Sequence, residues 1–250
     1  MKVLFIAFGL CASLAYAHFQ VILPETDIAD QSMGKKGLHV KYEFTHPYEK
    51  TLMNMEKPLR AGVFADDKII DILPSLKEVK VGNLSTWQSV FSFKEPADYI
   101  FFVEPKPYFE PSEAKYIKHM TKVVVDGMNA GEGWDKAVGL KAEIIPLSRP
   151  YGLYKGNIFS GVVTFKGKPV PNAEIEVEFY NTKKTDAPSE QHVTQVVKTD
   201  AQGVFHFAMP KAGWWGFAAL LEDDESIKKD GKTYPVELGA VMWVKTYEMP

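Results

Sequence analysis

Apolar and polar side chains alternate most clearly between residues 38 and 46. Every second residue from Leu38 to Phe44 is apolar, and the residues between them are polar or charged. This period of two predicts a strand that buries one face and exposes the other. His46 continues the parity of the apolar face where Pro47 ends the strand, so its ring is expected to face inward.

Short strands separated by turn signals recur to the end of the chain. Tyr99–Val103 is apolar on both faces and predicts a central strand, and Thr121–Val125 is rich in β-branched residues. Helical periodicity is almost absent. The pattern therefore predicts an all-β protein with two β-sandwich domains in tandem.

The pattern of apolar and polar residues after Ser148–Gly152 differs from the pattern before it. We place a first sandwich at residues 18–147, a linker at 148–154 and a second sandwich at 155–250. This division predicts that each half forms its own apolar core.

Three segments carry signals other than those of a regular strand. Prolines at positions 105, 107 and 111 predict a rigid loop. A short helical turn is expected at Ser112–Lys118. The acidic and basic residues of Asp223–Gly231 predict a charged turn before a closing strand at Pro235–Tyr247.

The first residues have the composition of a signal peptide. Lys2 precedes the apolar run Val3–Leu14, and Ala15–Ala17 forms a signal-peptidase site of the Ala-x-Ala type. Residues 1–17 are therefore expected to be removed, which predicts a secreted, periplasmic protein. No later apolar run approaches the ~20 residues needed to span a bilayer.

The mature composition excludes several classes of site. Cys11, the single cysteine, lies in the signal segment, so disulfides, iron–sulfur clusters and thiol catalysis are excluded. Loss of Lys2 changes the net charge from -3 to -4, because no other charged residue is removed. This mild acidity gives no reason to expect nucleic acid as a partner. Phosphate-binding glycine loops and hydrolase motifs are also absent.

Cleavage after Ala17 would make His18 the first residue of the mature protein. Its α-amine, with a reference pKa of ~7.7–8.0, loses a proton more easily than lysine. The amine and ring Nδ1 can then chelate one ion of nickel, cobalt, copper or zinc. The alternative is that His18 has no function, as is common after a cleavage site.

His46 and His119 are the other candidate metal ligands in the first domain. With His18 and its amine they would form a four-nitrogen set, which suits Ni(II) or Cu(II). The alternative for His46 is a histidine at the edge of the core, bonded to a backbone carbonyl. For His119 it is an ordinary surface histidine. The remaining histidines are expected to be solvated or structural: His39, His192 and His206.

Two further signals accompany the histidines. Met53 and Met55 could bind soft Cu(I), although filling an irregular gap is their commoner role. Glu237 stands in an otherwise apolar strand, which predicts either a buried cation as its partner or a nearby site.

The second half resembles transthyretin-like, carboxypeptidase-regulatory-like sandwiches. The residues that carry this resemblance are Gly161–Ala173, with a Lys-Gly-Lys-Pro turn, and Lys198–Phe205, with an Asp-Ala-Gln-Gly turn. Modules of this type are usually structural or adhesive, so the resemblance implies no chemistry for this half.

The whole mature chain resembles exported proteins of an uncharacterised-domain family grouped with periplasmic components of nickel/cobalt ABC-type uptake systems. The resemblance rests on Ala17–Phe19, Phe44–Pro47, Met53–Pro58, Thr121–Val125 and Gly213–Phe217. It implies a periplasmic protein that binds or delivers a transition metal, with a membrane permease as partner.

Three hypotheses follow from these observations. The first is a non-enzymatic metal binder serving nickel or cobalt uptake. The second is an oxidative copper enzyme in which an N-terminal histidine and a second histidine form a histidine brace. The third is an adhesion or interaction module with incidental histidines. We favour the first, because three candidate ligands fall in one domain.

Overall fold

The computed structural model describes residues 18–250. The predicted signal peptide, residues 1–17, lies outside the described residues. The strands are, in chain order, β1 (Phe19–Pro24), β2 (Ile28–Ala29), β3 (Leu38–His46), β4 (Thr51–Met53), β5 (Arg60–Ala65), β6 (Lys68–Asp71), β7 (Lys77–Val81), β8 (Leu84–Phe91), β9 (Ala97–Glu104), β10 (Tyr108–Glu110), β11 (Lys115–Gly127), β12 (Ala142–Pro146), β13 (Leu153–Tyr154), β14 (Ile158–Phe165), β15 (Lys168–Pro169), β16 (Glu174–Phe179), β17 (Gln195–Lys198), β18 (Val204–Ala208), β19 (Gly213–Lys229) and β20 (Lys232–Tyr247).

The helices within residues 18–250 are short. They are α1 (Gln31–Lys36), α2 (Glu190–Val193) and a 3₁₀ turn at Leu73–Ser75. Asp30 caps α1, since its carboxylate accepts the first free backbone N–H groups of the helix. Across residues 18–250, no helix is long and apolar enough to cross a membrane.

The strands form three sheets. The front sheet has the order β1-β3-β8-β7, with β4 beside β3. The central sheet has the order β17-β16-β19-β20-β11-β9-β5-β6, with β2 and β10 beside β11 and β13 beside β20. The back sheet has the order β12-β14-β15, with β18 beside β14.

The central sheet buries both of its faces. In β9, Phe101 and Val103 belong to the apolar core shared with the front sheet. Ile100 and Phe102, which alternate with them, belong to the core shared with the back sheet. This arrangement explains why β9 is apolar on both faces, and it confirms the prediction of a central strand there.

The all-β, β-sandwich fold class is confirmed. The two sandwiches share the central sheet, because β11 and β20 pair in parallel from Tyr116↔Val236 to Val123↔Trp243. The predicted boundary at residues 148–154 does not coincide with a boundary between sheets. In addition, β12 precedes this predicted linker but pairs with β14.

Two local predictions are wrong. The helical turn expected at Ser112–Lys118 is shorter, because the turn ends at Ala114 and β11 begins at Lys115, where it pairs with β10 and β20. The charged turn expected at Asp223–Gly231 is shorter, because β19 continues to Lys229 beside β20. In both places, pairing with a strand distant in the chain outweighs the local signal.

Candidate metal centre

The pairing of β1 with β3 brings His18 and His46 together. Phe19 lies opposite Thr45 in this antiparallel ladder, so the residues on either side of that pair, His18 and His46, are neighbours. Their ring centroids are 4.7 Å apart. The inward parity that the sequence predicted for His46 therefore places it beside His18.

His18 is enclosed by aromatic rings and a carboxylate. Its ring centroid lies 5.9 Å from that of Phe44 and 6.0 Å from that of Tyr108. Its Nε2 lies 3.2 Å from Glu110 Oε2, and both side chains are nearly buried. Glu110 is itself fixed by hydrogen bonds donated by the Ser112 backbone and hydroxyl.

The ring of His18 is neutral at pH 7. Burial, followed by the nearby His46 and His119, lowers its pKa to about 4, although Glu110 and Glu237 oppose this shift. A neutral imidazole retains the lone pair that a metal ligand requires. The same interactions place all five of these side chains in one neighbourhood.

His119 joins this neighbourhood from the central sheet. Thr121, two residues further along β11, donates its hydroxyl to the Gln20 carbonyl of β1 at 3.2 Å, which connects the two strands. The His119 ring packs over Gly239 of β20, where an added Cβ would lie only 2.3 Å from the ring Cδ2. Only glycine leaves room for the ring at that position.

Neither ring nitrogen of His119 has a hydrogen-bond partner among residues 18–250, although the residue is only 2% exposed. Its Nε2 is 3.6 Å from Glu237 Oε1, which is too long for a hydrogen bond. A buried polar group without a partner costs free energy, and such groups are rare. The surface position offered as the alternative for His119 is wrong.

The carboxylate of Glu237 lies beside His119. Its Oε2 lies 2.6 Å from Lys115 Nζ. Burial alone would raise the pKa of this carboxyl, but the proximity of His119 and Lys115 outweighs burial and lowers the pKa to about 2. The cation predicted as a partner of Glu237 is present as Lys115. The site that was the other alternative for Glu237 stays a prediction.

His18, His46, His119, Glu110 and Glu237 form a cluster of neighbouring side chains, which we call the histidine cluster. These side chains do not form a closed coordination shell. Over the described part of the chain, no three His, Asp or Glu side chains already surround one point as a metal site would. Rotation of the imidazole rings and release of the His18 amine would be needed to complete a ligand set. The unpartnered His119 nitrogens are the feature of this structure that fits such a set.

The other histidines lie apart from the cluster, as expected. His39 is on the exposed face of β3. His192 is exposed and its Nδ1 is 2.9 Å from the Ser189 hydroxyl. His206 is exposed, with its Nδ1 2.7 Å from the Ser160 hydroxyl.

A cavity of about 290 Å³ adjoins the three-histidine cluster. Its lining combines aromatic and proline side chains with His119 and a methionine thioether. The lining residues are Gln20, Phe44, Asn54, Met55, Glu56, Pro105, Lys106, Pro107, Tyr108, Phe109, Ile117 and His119. Space beside a buried histidine that lacks hydrogen-bond partners is suited to a ligand.

Sequence reasoning missed Glu110 and underrated Met55. Glu110 lies in the proline-rich segment expected to be irregular, yet Tyr108–Glu110 forms β10 beside β11. The alternation Tyr108, Phe109, Glu110 between two prolines was the available signal, and it is weak. Met55 was expected to fill a gap, and it is buried in the core shared with the front sheet. It also lines the cavity.

The family described as "Domain of unknown function (DUF4198)" matches residues 15–223. The chain belongs to the DUF4198 family. The resemblance to an uncharacterised-domain family is confirmed by this match, which includes every candidate histidine but ends before Glu237. No curated protein sequence matches this DUF4198 protein.

Several solved structures are similar to this DUF4198 protein in outline. One is of fibronectin(III)-like modules of CbhA from Clostridium thermocellum, with 10% identity and a TM-score of 0.22, covering 90% of this chain and 95% of that one. Another is the D0-D1 domain of intimin, with 9% identity and a TM-score of 0.24, covering 92% and 100%. Likenesses this distant carry no argument about function.

Proposed function

We propose that this DUF4198 protein binds one transition-metal ion through His18, His46 and His119. The amine that signal cleavage frees on His18 would add a fourth nitrogen donor. Nickel and cobalt are the favoured ions, and copper and zinc are the alternatives, because all four accept imidazole and amine nitrogen. The protein itself would carry the ion without catalysing a reaction on it.

One observation supports this proposal: three of the six histidines, from distant positions in the sequence, lie in one neighbourhood. His18 and His46 are neighbours across β1 and β3, and His119 is close enough to perturb the pKa of His18. Chance placement of solvated histidines would not put a nearly buried one, without hydrogen-bond partners, beside two others.

The carboxylates beside the histidines fit the same role. Glu110 contacts Nε2 of His18, and Glu237 faces Nε2 of His119. A carboxylate beside a ligating imidazole orients the ring and strengthens it as a donor. Each could alternatively enter the coordination shell once the rings rotate. In either role they would offset the charge of a bound cation.

The wider role that we propose is delivery of nickel or cobalt to a membrane permease in the periplasm. Export is supported by the Ala-x-Ala site before His18. The large sheet framework offers docking surface away from the metal, and the mature chain carries no apolar run of membrane-spanning length. Delivery is tested by metal uptake in cells from which the gene has been deleted.

The binding experiment is calorimetry of the mature protein, residues 18–250, with Ni²⁺, Co²⁺, Cu²⁺ and Zn²⁺. A second protein retains Ala17, which keeps every side chain but converts the His18 amine into an amide. We expect this extension to weaken binding by about 100-fold, or about 3 kcal/mol. The His46→Ala variant should lose at least as much, since it removes an imidazole.

His39→Ala is the matched control, because His39 lies on the same strand as His46 but on its exposed face. It should leave the affinity within about twofold. Equal affinity of the mature and Ala17-extended proteins would disprove the role of the terminal amine. Absence of binding by the mature protein would disprove the proposed function as a whole.

A histidine-brace copper enzyme is the second candidate. The pairing of His18 with His46 at 4.7 Å, with Tyr108 beside them, favours it. Copper-loaded mature protein supplied with a reductant should then consume oxygen faster than free copper does. Oxygen consumption no faster than the copper-only control would exclude this candidate.

A further inference from the structure

The cavity beside the histidine cluster contains a second type of donor. Met55 lines this cavity together with His119, and both residues are nearly buried, at 3% and 2% exposure. The Met55 thioether is a soft sulfur donor, unlike the imidazoles and carboxylates described above. A site that uses sulfur would select a different ion from one that uses only nitrogen and oxygen.

Met55 is held in place by its backbone on both sides. Its N–H donates to the Ser85 carbonyl at 3.0 Å, and its own carbonyl accepts from the Trp87 indole at 3.0 Å. The side-chain sulfur lies 3.3 Å from Gln20 Nε2. These contacts hold the backbone of Met55 in place and bring its sulfur against the Gln20 amide.

Gln20 connects the sulfur to the strand that carries His119. Its side-chain amide contacts Met55 Sδ, and its backbone carbonyl accepts the hydroxyl of Thr121. Thr121 lies two residues from His119, and its hydroxyl also reaches the His119 carbonyl at 3.0 Å. The thioether and the imidazole are therefore attached to one hydrogen-bonded framework at the cavity wall.

The buried ring of His119 is a second observation, separate from Met55, that points to a ligand in the cavity. Within the described chain its two ring nitrogens lack any hydrogen-bond partner, and Gly239 leaves the ring no space to withdraw on one side. A ligand in the cavity would supply the close donor or acceptor contact that this imidazole lacks, since Glu237 Oε1 is no nearer than 3.6 Å. The mostly apolar walls, including Phe44 and Tyr108, suit an ion of low charge.

We propose that Met55 and His119 bind Cu(I) in this cavity. Monovalent copper prefers thioether and imidazole donors and accepts few ligands, whereas Ni²⁺ and Co²⁺ have little preference for a thioether. The inference rests on the proposed function only in that both use His119. Its remaining donor is different, and it does not require the His18 amine.

The test measures Cu(I) and Ni²⁺ affinities separately in the mature protein. Cu(I) is titrated without oxygen against a chromophoric Cu(I) chelator, and Ni²⁺ is titrated by calorimetry. Met55→Leu, which conserves volume, should weaken Cu(I) binding by about tenfold or more and leave Ni²⁺ affinity within about twofold. Met33→Leu is the matched control, since Met33 is also partly buried against the front core but does not line the cavity.

The protein that retains Ala17 separates the two proposals. It should lose Ni²⁺ affinity and keep Cu(I) affinity. Loss of Cu(I) as well, or unchanged Cu(I) affinity in Met55→Leu, overturns the thioether site. A mature protein that binds Cu(I) through Met55 but no Ni²⁺ would disprove the proposed function alone. If Met55→Leu does not fold, X-ray absorption spectroscopy of the Cu(I)-loaded natural protein tests the thioether site instead. A spectrum without a Cu–S contact overturns the inference.

Discussion

Replacing His119 with leucine is expected to stabilise the metal-free protein while it weakens metal binding. The His119 side chain is nearly buried, and across residues 18–250 both ring nitrogens lack hydrogen-bond partners. Leucine has a similar volume and brings no polar atom into the site. Glu237 would keep its contact with Lys115 at 2.6 Å, so the substitution leaves no isolated buried carboxylate.

The magnitude follows from the two unpaired nitrogens. An unsatisfied buried polar group costs ~1–3 kcal/mol, and the change of shape returns up to ~1.5 kcal/mol as packing strain. We therefore expect a net gain of about 2 kcal/mol in the free energy of unfolding. For a mature chain of this length, that corresponds to an increase in Tm of about 4–8 °C.

The assay is urea unfolding of the mature protein at pH 7.5 in the presence of a metal chelator. His39→Leu is the matched control, because His39 is exposed on β3, and it should change the free energy of unfolding by no more than ~0.5 kcal/mol. Destabilisation of His119→Leu by more than 1 kcal/mol would refute the reasoning. It would mean that the imidazole stabilises the metal-free fold.

Three further outcomes are expected. Gly239→Ala places a Cβ 2.3 Å from the His119 ring, so it should weaken metal affinity at least about tenfold, as calorimetry would show. Glu143→Gln removes the carboxylate that now lies 2.7 Å from the buried Lys122 ammonium. It should lower the free energy of unfolding, measured in urea, by about 3–5 kcal/mol. A decrease below about 1 kcal/mol would contradict this. Burial raises the pKa of Asp98 to about 6, so the folded state holds a proton that the unfolded state releases near ~3.9. The contribution of Asp98 to the free energy of unfolding should therefore fall by about 2 kcal/mol between pH 4 and pH 6. Asp98→Asn should remove this contribution, which is measured as the difference between the pH profiles of the two proteins.

The strands of the first sandwich could be predicted because their patterns are local. The alternation from Leu38 to His46 coincides with β3, and the doubly apolar Tyr99–Val103 lies within β9, which packs on both faces. In each case the pattern of apolar and polar residues shows directly whether the strand is buried on one face or on both.

Pairings between distant strands could not be predicted in this way. The parallel contact of β11 with β20 joins residues more than a hundred positions apart, and no periodicity encodes it. The same contact places Gly239 under His119. The sequence therefore suggested His119 as a ligand without showing why its ring is held in place.

The histidines of the candidate site and Glu237 could be suspected from the sequence, but Glu110 could not. His18 was identified by the cleavage site and His46 by strand parity, and both identifications depend on neighbours in sequence. Glu110 acquires its place only when β10 pairs with β11. Its carboxylate Oε2 then lies 3.2 Å from Nε2 of His18.

The sharing of one sheet by both sandwiches has a consequence for truncation. A fragment ending near residue 147 would lose β20, leave β11 with an unpaired edge, and remove Glu237 and Gly239 from around His119. We therefore expect a separately expressed front half to lack the β11–β20 pairing and the β20 residues that contact His119.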